Sequence, residues 1–385
     1  MQKNADVVII GGGVHGCSIA YHLAKAGVKN IAVLEKKYLA SGGSGRSAAG
    51  IRQQFGTDIN IYLSAETVKM IENLTDELDY PHDMELMQEG YTMLAYSESQ
   101  LKQFEENSNR QNTLIPGCET EILSPGELKR RFPLLNTANL HGASFNRQDG
   151  HICPFHLTNS HAVAAKRLGV NFYTYQEVVN IFSEGSKVTG VETKDGHIIN
   201  TPIVVNAAGP HGGQISRMVG LEIPMYPERH QILVTEPLDM VVPSMMISLT
   251  HGVYFKQTGN GSMLMGVNDP NEVKDFNENS TGGFLVEVAK KAMAHMPALR
   301  NTRVVRQWAG LYDITPDQQP ILGPVDEIEG FYMNVGWSGH GLMMGPVIGK
   351  LMSQMITGKE LDIDISCLHF NRFKTGELIP EPVCI

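Results

Sequence analysis

Long apolar runs are missing from this chain: none approaches the roughly 20 residues that a membrane-spanning helix needs, so no span is expected. Cysteine is scarce. The five present, Cys17, Cys118, Cys153, Cys367 and Cys384, are scattered, odd in number and never paired as C-x-x-C. That pattern points to reduced thiols in a cytoplasmic protein and not to a disulfide framework. Histidine and cysteine never cluster at ligand spacing, which leaves a metal site without support. Excess positive charge is absent too. A net charge of −10 argues against a nucleic-acid partner or an anionic membrane surface. Charged residues make up 19% and no segment is compositionally extreme, so nothing reads as disordered. The first strand-like run begins at Val7, which leaves no room ahead of it for a secretory signal.

What is present is enough to bury a full core: 385 residues with 42% hydrophobic content, one large domain or two closely joined ones. Residues 7–10 are a short β-branched run, a glycine turn follows, residues 17–26 have helical periodicity, and residues 31–34 form a second apolar strand. This is a βαβ unit, and a parallel sheet is expected. Residues 61–78 repeat at helical spacing, residues 85–150 turn to short strands with a Ser-Pro-Gly-Glu helix start at 124–127, and residues 155–168 return to helix. Residues 204–209 read as a buried strand ending in a glycine turn. Residues 216–306 read as a strand-rich insert with a hairpin around Gly259-Asn260-Gly261. A strand (330–335), a glycine turn and a helix (344–356) follow.

Gly11-Gly12-Gly13-Val14-His15-Gly16 supplies G-x-G-x-x-G between strand and helix. The glycines permit a tight turn, close approach to a pyrophosphate and close helix–strand packing. The helix starting near Val14 aims free N–H groups and its positive dipole end at the phosphates. Glu35 ends the second strand, nineteen residues after Gly16, placed to accept hydrogen bonds from a ribose, with Lys36 beside it. FAD, NAD and other dinucleotides share this unit, so the rest of the chain must choose between them.

Four further segments decide it: residues 41–52 (SGGSGRSAAGIR), residues 204–210 (VVNAAGP), Trp308-Ala309-Gly310 with Thr315-Pro316-Asp317, and residues 336–341 (GWSGHG). With them the chain resembles the D-amino-acid-oxidase-type flavoproteins, the group of sarcosine oxidases, glycine oxidase and proline dehydrogenase β subunits. The resemblance implies an α/β fold: a Rossmann-like FAD-binding domain of glutathione-reductase type, interleaved with an α+β substrate domain on an antiparallel sheet. Residues 1–84, 147–215 and 307–385 are assigned to the first domain, 85–146 and 216–306 to the second. It also implies that Ser44 and Gly45 hold the pyrophosphate, with Arg46 beside them in the cofactor set, that Ala49, Gly50 and Ile51 run beside the flavin ring, and that Val178 holds the adenine through its backbone. Ala208, Gly209 and Gly310 complete the cofactor set. Gly339, His340, Gly341, Leu342 and Met343 sit where a helix N-terminus faces the flavin's pyrimidine edge, and a positive dipole there favours the reduced anion.

The departures from the family pattern are informative. Gly310 stands where related oxidases tether flavin through a cysteine, so FAD is expected to be non-covalent. Pro154 stands where sarcosine oxidase β subunits tether FMN through a histidine, with His151 and His156 out of register. Non-covalent FMN at a subunit interface stays open. Tyr312 replaces the carboxylate-binding arginine of glycine oxidase, and Met343 the lysine of monomeric sarcosine oxidase. Arg52 remains to meet a substrate carboxylate, which is costly to bury unpaired. Tyr254, Tyr312 and His340 are candidates to line the pocket beside it. Leu264 occupies the position of the lysine that assists oxygen reduction, with Lys256 on the preceding strand. The expectation is an FAD-dependent dehydrogenase of a small secondary amino acid, proline or sarcosine, acting as a catalytic β subunit with an α or other electron-transfer partner. An oxidase of glycine or another small amino acid, a flavin carrier without its own substrate, and a nicotinamide enzyme are the alternatives.

Overall fold

The computed structural model describes residues 1–383; Cys384 lies outside them. β1 (Val7–Ile10), α1 (Val14–Lys25) and β2 (Ile31–Glu35) form the βαβ unit, with Val8 opposite Ala32 in parallel register. On its other side β1 pairs in parallel with Val204–Asn206, which in turn pairs in parallel with Ile328–Val335. β1 is buried along its length because helices cover the face of Val7 and Ile9 while strand residues Val178, Ile181, Val188, Val191 and Ile199 cover the face of Val8 and Ile10, and this explains its unbroken apolar run. On one face α1 packs against Pro154–Arg167 and Gly341–Ile356. The last helix therefore begins at Gly341, one turn before the expected start, because residues 341–343 already turn as helix behind the cap residue His340.

The second sheet has eight strands, in the order Val304–Ile314, Tyr226–Pro237, Ser262–Val267, Val253–Gln257, Met245–Ser248, Tyr91–Ala95, Gly142–Asn146 and Thr120–Leu123. All pairings are antiparallel except that between Met245–Ser248 and Tyr91–Ala95, where the two inserts meet. The expected hairpin forms, with Lys256 opposite Leu264. Val304–Ile314 stays in this sheet along its whole length, past residue 307. Side chains alternate between faces: Val253 and Phe255 join one apolar cluster with the helix Gly282–His295, whereas Tyr254 and Leu264 join another that faces the cofactor layer.

Two helices fall where the sequence reads as strands and turns. Glu98–Leu114 buries only Phe104, Asn107, Ser108 and Gln111, so it lacks the apolar stripe that announces a helix. Gly282–His295 opens on two glycines and is capped by the Thr281 hydroxyl. The helix at Pro125–Arg131 carries the full reciprocal capping box between Ser124 and Glu127. Among the described residues, no helix is long and apolar enough to cross a membrane.

Candidate functional site

A cleft of ≈ 470 Å³ runs along the carboxyl ends of the parallel strands. Gly11 turns the chain out of β1 with φ +116°, and a Cβ there would lie 2.3 Å from the Ala207 carbonyl oxygen. A Cβ on Gly16 would lie 1.9 Å from the Gly11 carbonyl oxygen. No larger residue fits at either position. Gly13 is the cap residue of α1 and offers no side-chain cap, so the first turn's N–H groups point into the cleft. Val14 N–H donates to Ser44 Oγ at 3.1 Å, which brings the second glycine-rich loop to the same helix end. Glu35 accepts from Gly12 N–H at 2.8 Å and Lys37 N–H at 2.7 Å while still lining the cleft. Val178, Ala208, Gly209 and His211 line its far end, where Lys36 Nζ meets His211 Nε2 at 2.5 Å.

At the opposite end a small cavity of ≈ 70 Å³ shares Ser47, Tyr312, Gly339 and Leu342 with the cleft. Ala49, Gly50, Arg52, Tyr254, His340 and Met343 line it, joined by Tyr91, Met245 and Ile247 from the antiparallel sheet. Arg52 is 5% exposed and donates to the Gln54 and Val383 carbonyls, each at 2.6 Å, with its guanidinium 4.1 Å from the Phe55 ring centre. Tyr312 stacks on His230 at 3.6 Å. His340 packs edge-on to Phe55 and Trp337. Burial, and then the Arg52 charge, hold His340 down at about 3, and burial holds His15 at about 3, so both rings are neutral at neutral pH. Burial raises the Tyr254 phenol and keeps it protonated.

Other residues singled out by sequence lie off both cavities. Gly16 and Ile51 are packing positions, and Ile51 pairs with Gly150. A Cβ on Gly45 would strike the Ala40 carbonyl oxygen at 2.2 Å. Arg46 turns to the Ser41 and Ala309 carbonyls and to Glu278, 3.1 Å away, and its Cβ lies 3.0 Å from where a Cβ on Gly310 would sit.

The structure adds groups that short spacing hides. Asp313 accepts Gly336 N–H at 2.7 Å, and its backbone oxygen accepts Ser338 N–H at 3.0 Å, fixing the loop ahead of Gly339. Asp149 accepts Gln53 N–H at 2.8 Å and Gln54 Nε2 at 3.0 Å, steadying the residues that follow Arg52, including its carbonyl partner Gln54; burial raises it to about 7. Lys256 is 4% exposed and burial lowers it to about 7, with Cys153 and Glu85 the acidic groups that oppose this shift. The sequence shows no ligand spacing, yet folding places Glu85, Cys153 and His156 with their ligand atoms within 4.8 Å of one another.

The cradle fits a flavin dinucleotide: glycines that a Cβ would close, an uncapped helix end for the pyrophosphate, a carboxylate for the ribose and a second helix N-terminus at Gly341. The family model for FAD dependent oxidoreductases matches residues 6–355. The sarcosine oxidase subunit beta of an Arthrobacter species is 30% identical over 99% of this chain and 94% of its own length. The crystal structure of L-proline dehydrogenase from P. horikoshii matches with TM-score 0.92 and 34% identity, covering 98% of this chain and 100% of that one. That of glycine oxidase from Geobacillus kaustophilus matches with TM-score 0.88 and 25% identity, covering 96% and 99%.

Proposed function

The chain belongs to the FAD dependent oxidoreductase family, and on that premise we propose that it oxidises a small secondary amino acid, proline or sarcosine, to the imine. The observation that carries this reading is the buried Arg52 on the wall of a ≈ 70 Å³ cavity that abuts the dinucleotide cleft. When bound, FAD supplies the acceptor, at flavin N5, for the hydride leaving the substrate C–H bond. Gly11, Gly13, Val14, Ser44, Glu35 and Val178 would hold the cofactor, and residues 339–343 would face the flavin ring. Arg52 takes the carboxylate and sets which C–H bond faces the flavin. His340 is held neutral and Tyr254 protonated, so neither brings a charge to the amine, and the apolar sheet wall keeps water out. Positioning and desolvation, not a general base, do the catalytic work.

Relatives named as an oxidase subunit beta and as a dehydrogenase suggest a β-type catalytic subunit that passes electrons to a partner. Pro154 in place of a tethering histidine leaves only non-covalent FMN as a second flavin. We favour a dehydrogenase, because Leu264 offers no charge to superoxide forming at the reduced flavin. The competing reading, an oxidase, is favoured by one observation: Lys256 lies directly across the hairpin from Leu264. Anaerobic flavin bleaching against L-proline, sarcosine and glycine tests the substrate class, and no bleaching by any would sink it. Stopped-flow reoxidation should then be far faster with an artificial dye than with air-saturated buffer. Stoichiometric peroxide at the dye's rate would make the protein an oxidase.

A further inference from the structure

Residues 377–383 received no role from sequence, yet they reach the substrate side of the molecule. Glu381 is 3% exposed. Its carboxylate accepts from Gly56 N–H at 2.9 Å, Thr57 N–H at 3.2 Å, Thr57 Oγ1 at 2.7 Å and Asn60 Nδ2 at 2.9 Å. These donors sit at the start of the helix Asp58–Glu77, whose cap residue Thr57 provides no side-chain cap of its own. A carboxylate from a distant segment thus holds the chain entering the helix and lies at its N-terminus, where the dipole favours negative charge. Glu381 N–H donates to the Asp317 carbonyl at 3.1 Å, and Asp317 is paired with the buried Arg372 at 2.8 Å.

This anchoring delivers Val383. Its side chain is 3% exposed and belongs to the same apolar cluster as Tyr91, Met245, Ile247 and Tyr254, four residues of the small cavity's wall. Its carbonyl takes an N–H of Arg52 at 2.6 Å, while the Gln54 carbonyl takes one on the other terminal nitrogen at 2.6 Å. A guanidinium carries five N–H donors in a rigid plane. Held at both terminal nitrogens, that plane cannot rotate, and three donors remain for a ligand. Both partners are neutral carbonyls, so these two bonds orient the positive charge without neutralising it; Asp149, which feels that charge, is itself raised by burial to about 7.

We propose that residues 377–383 form a substrate-site strap, in which Val383 orients Arg52 and backs the apolar side of the cavity while Glu381 holds the strap in place. The strap sets two properties of the site: affinity for a carboxylate and the upper size of the amino acid. It rests on the reading of Arg52 as the carboxylate partner.

The test uses the FAD-loaded protein with Glu381→Gln, whose amide turns donors toward donors, and a chain ended after Leu378. Pyrrole-2-carboxylate, which cannot be oxidised at the flavin, reports carboxylate affinity through the flavin spectrum. L-proline, sarcosine and L-phenylalanine report KM, limiting reduction rate and size selectivity. Both variants should weaken pyrrole-2-carboxylate about tenfold or more, as expected when a charged hydrogen-bond network is lost. KM should rise with the limiting rate nearly unchanged, L-phenylalanine should gain on L-proline, and Glu381→Asp should restore part of the affinity. Unchanged affinity and selectivity in FAD-replete Glu381→Gln would overturn the strap even if the shortened chain failed to fold. Arg52→Ala separates the two ideas: if it leaves pyrrole-2-carboxylate binding unaltered, the carboxylate reading itself falls. If it weakens binding and the strap variants do not, only the strap falls.

Discussion

Replacing Arg52 by alanine removes the one cation among the described residues of the small cavity's wall, and its consequence can be worked from the contacts. In the resting protein two of its five N–H groups bond to the Gln54 and Val383 carbonyls, so a bound carboxylate meets the remaining three. Truncating one partner of a buried, hydrogen-bonded charge pair costs about 2–5 kcal/mol. That corresponds to an affinity loss between roughly thirtyfold and a few thousandfold. The carboxylate keeps its charge while the hydride leaves, so the contact is alike in ground and transition states, and KM should rise far more than the limiting rate falls. The substitution also strands two carbonyls in a buried place, at about 1–3 kcal/mol each, and thermal stability should drop with it. Arg52→Lys is the control, because it keeps the charge and loses the fork, and it should recover part of the affinity. The assay is anaerobic stopped-flow flavin reduction across substrate concentration, with FAD content measured on the same samples. A KM unchanged in FAD-replete Arg52→Ala would refute the reasoning and leave Arg52 a structural residue.

Acid precipitation should release all the flavin into the supernatant, since Gly310 stands where related enzymes have the tethering cysteine; a coloured pellet would refute this. Lys256 has its pKa lowered by burial to about 7 from 10.5, so the unfolded chain binds the extra proton between those values. Its penalty on folding is therefore complete below about pH 7 and fades as pH rises toward 10.5. Lys256→Met should raise Tm most at pH 6 and least near pH 10, and a gain independent of pH would show that Lys256 is solvated.

How much was legible in the sequence follows from the range of each interaction. The βαβ unit and its glycines were readable because every constraint there is local: strand period, turn sterics and helix start lie within residues 7–35. The hairpin of residues 253–267 was readable for the same reason, with two short strand-like runs joined by a Gly-Asn-Gly turn. The helix Glu98–Leu114 was not, because a helix that buries only one apolar side chain has no period to detect. The sequence marked Arg52 as a candidate, but not what surrounds it. Its carbonyl partners, Gln54 and Val383, lie 2 and 331 positions away. Glu381 finds its donors 321 to 325 positions upstream. Lys256 meets Glu85 and Cys153 only because the hairpin is carried against the segment that pairs with Gly50. By itself the sequence determined which cofactor class the chain can cradle, since the dinucleotide turn is a contiguous glycine motif and each of the further glycine-rich segments that narrow the class is local too. Only the tertiary structure decided the shape and charge of the substrate cavity. That wall is assembled from residues 47–52, the antiparallel sheet and residues 338–343, and no local pattern encodes contacts made once, between segments hundreds of residues apart.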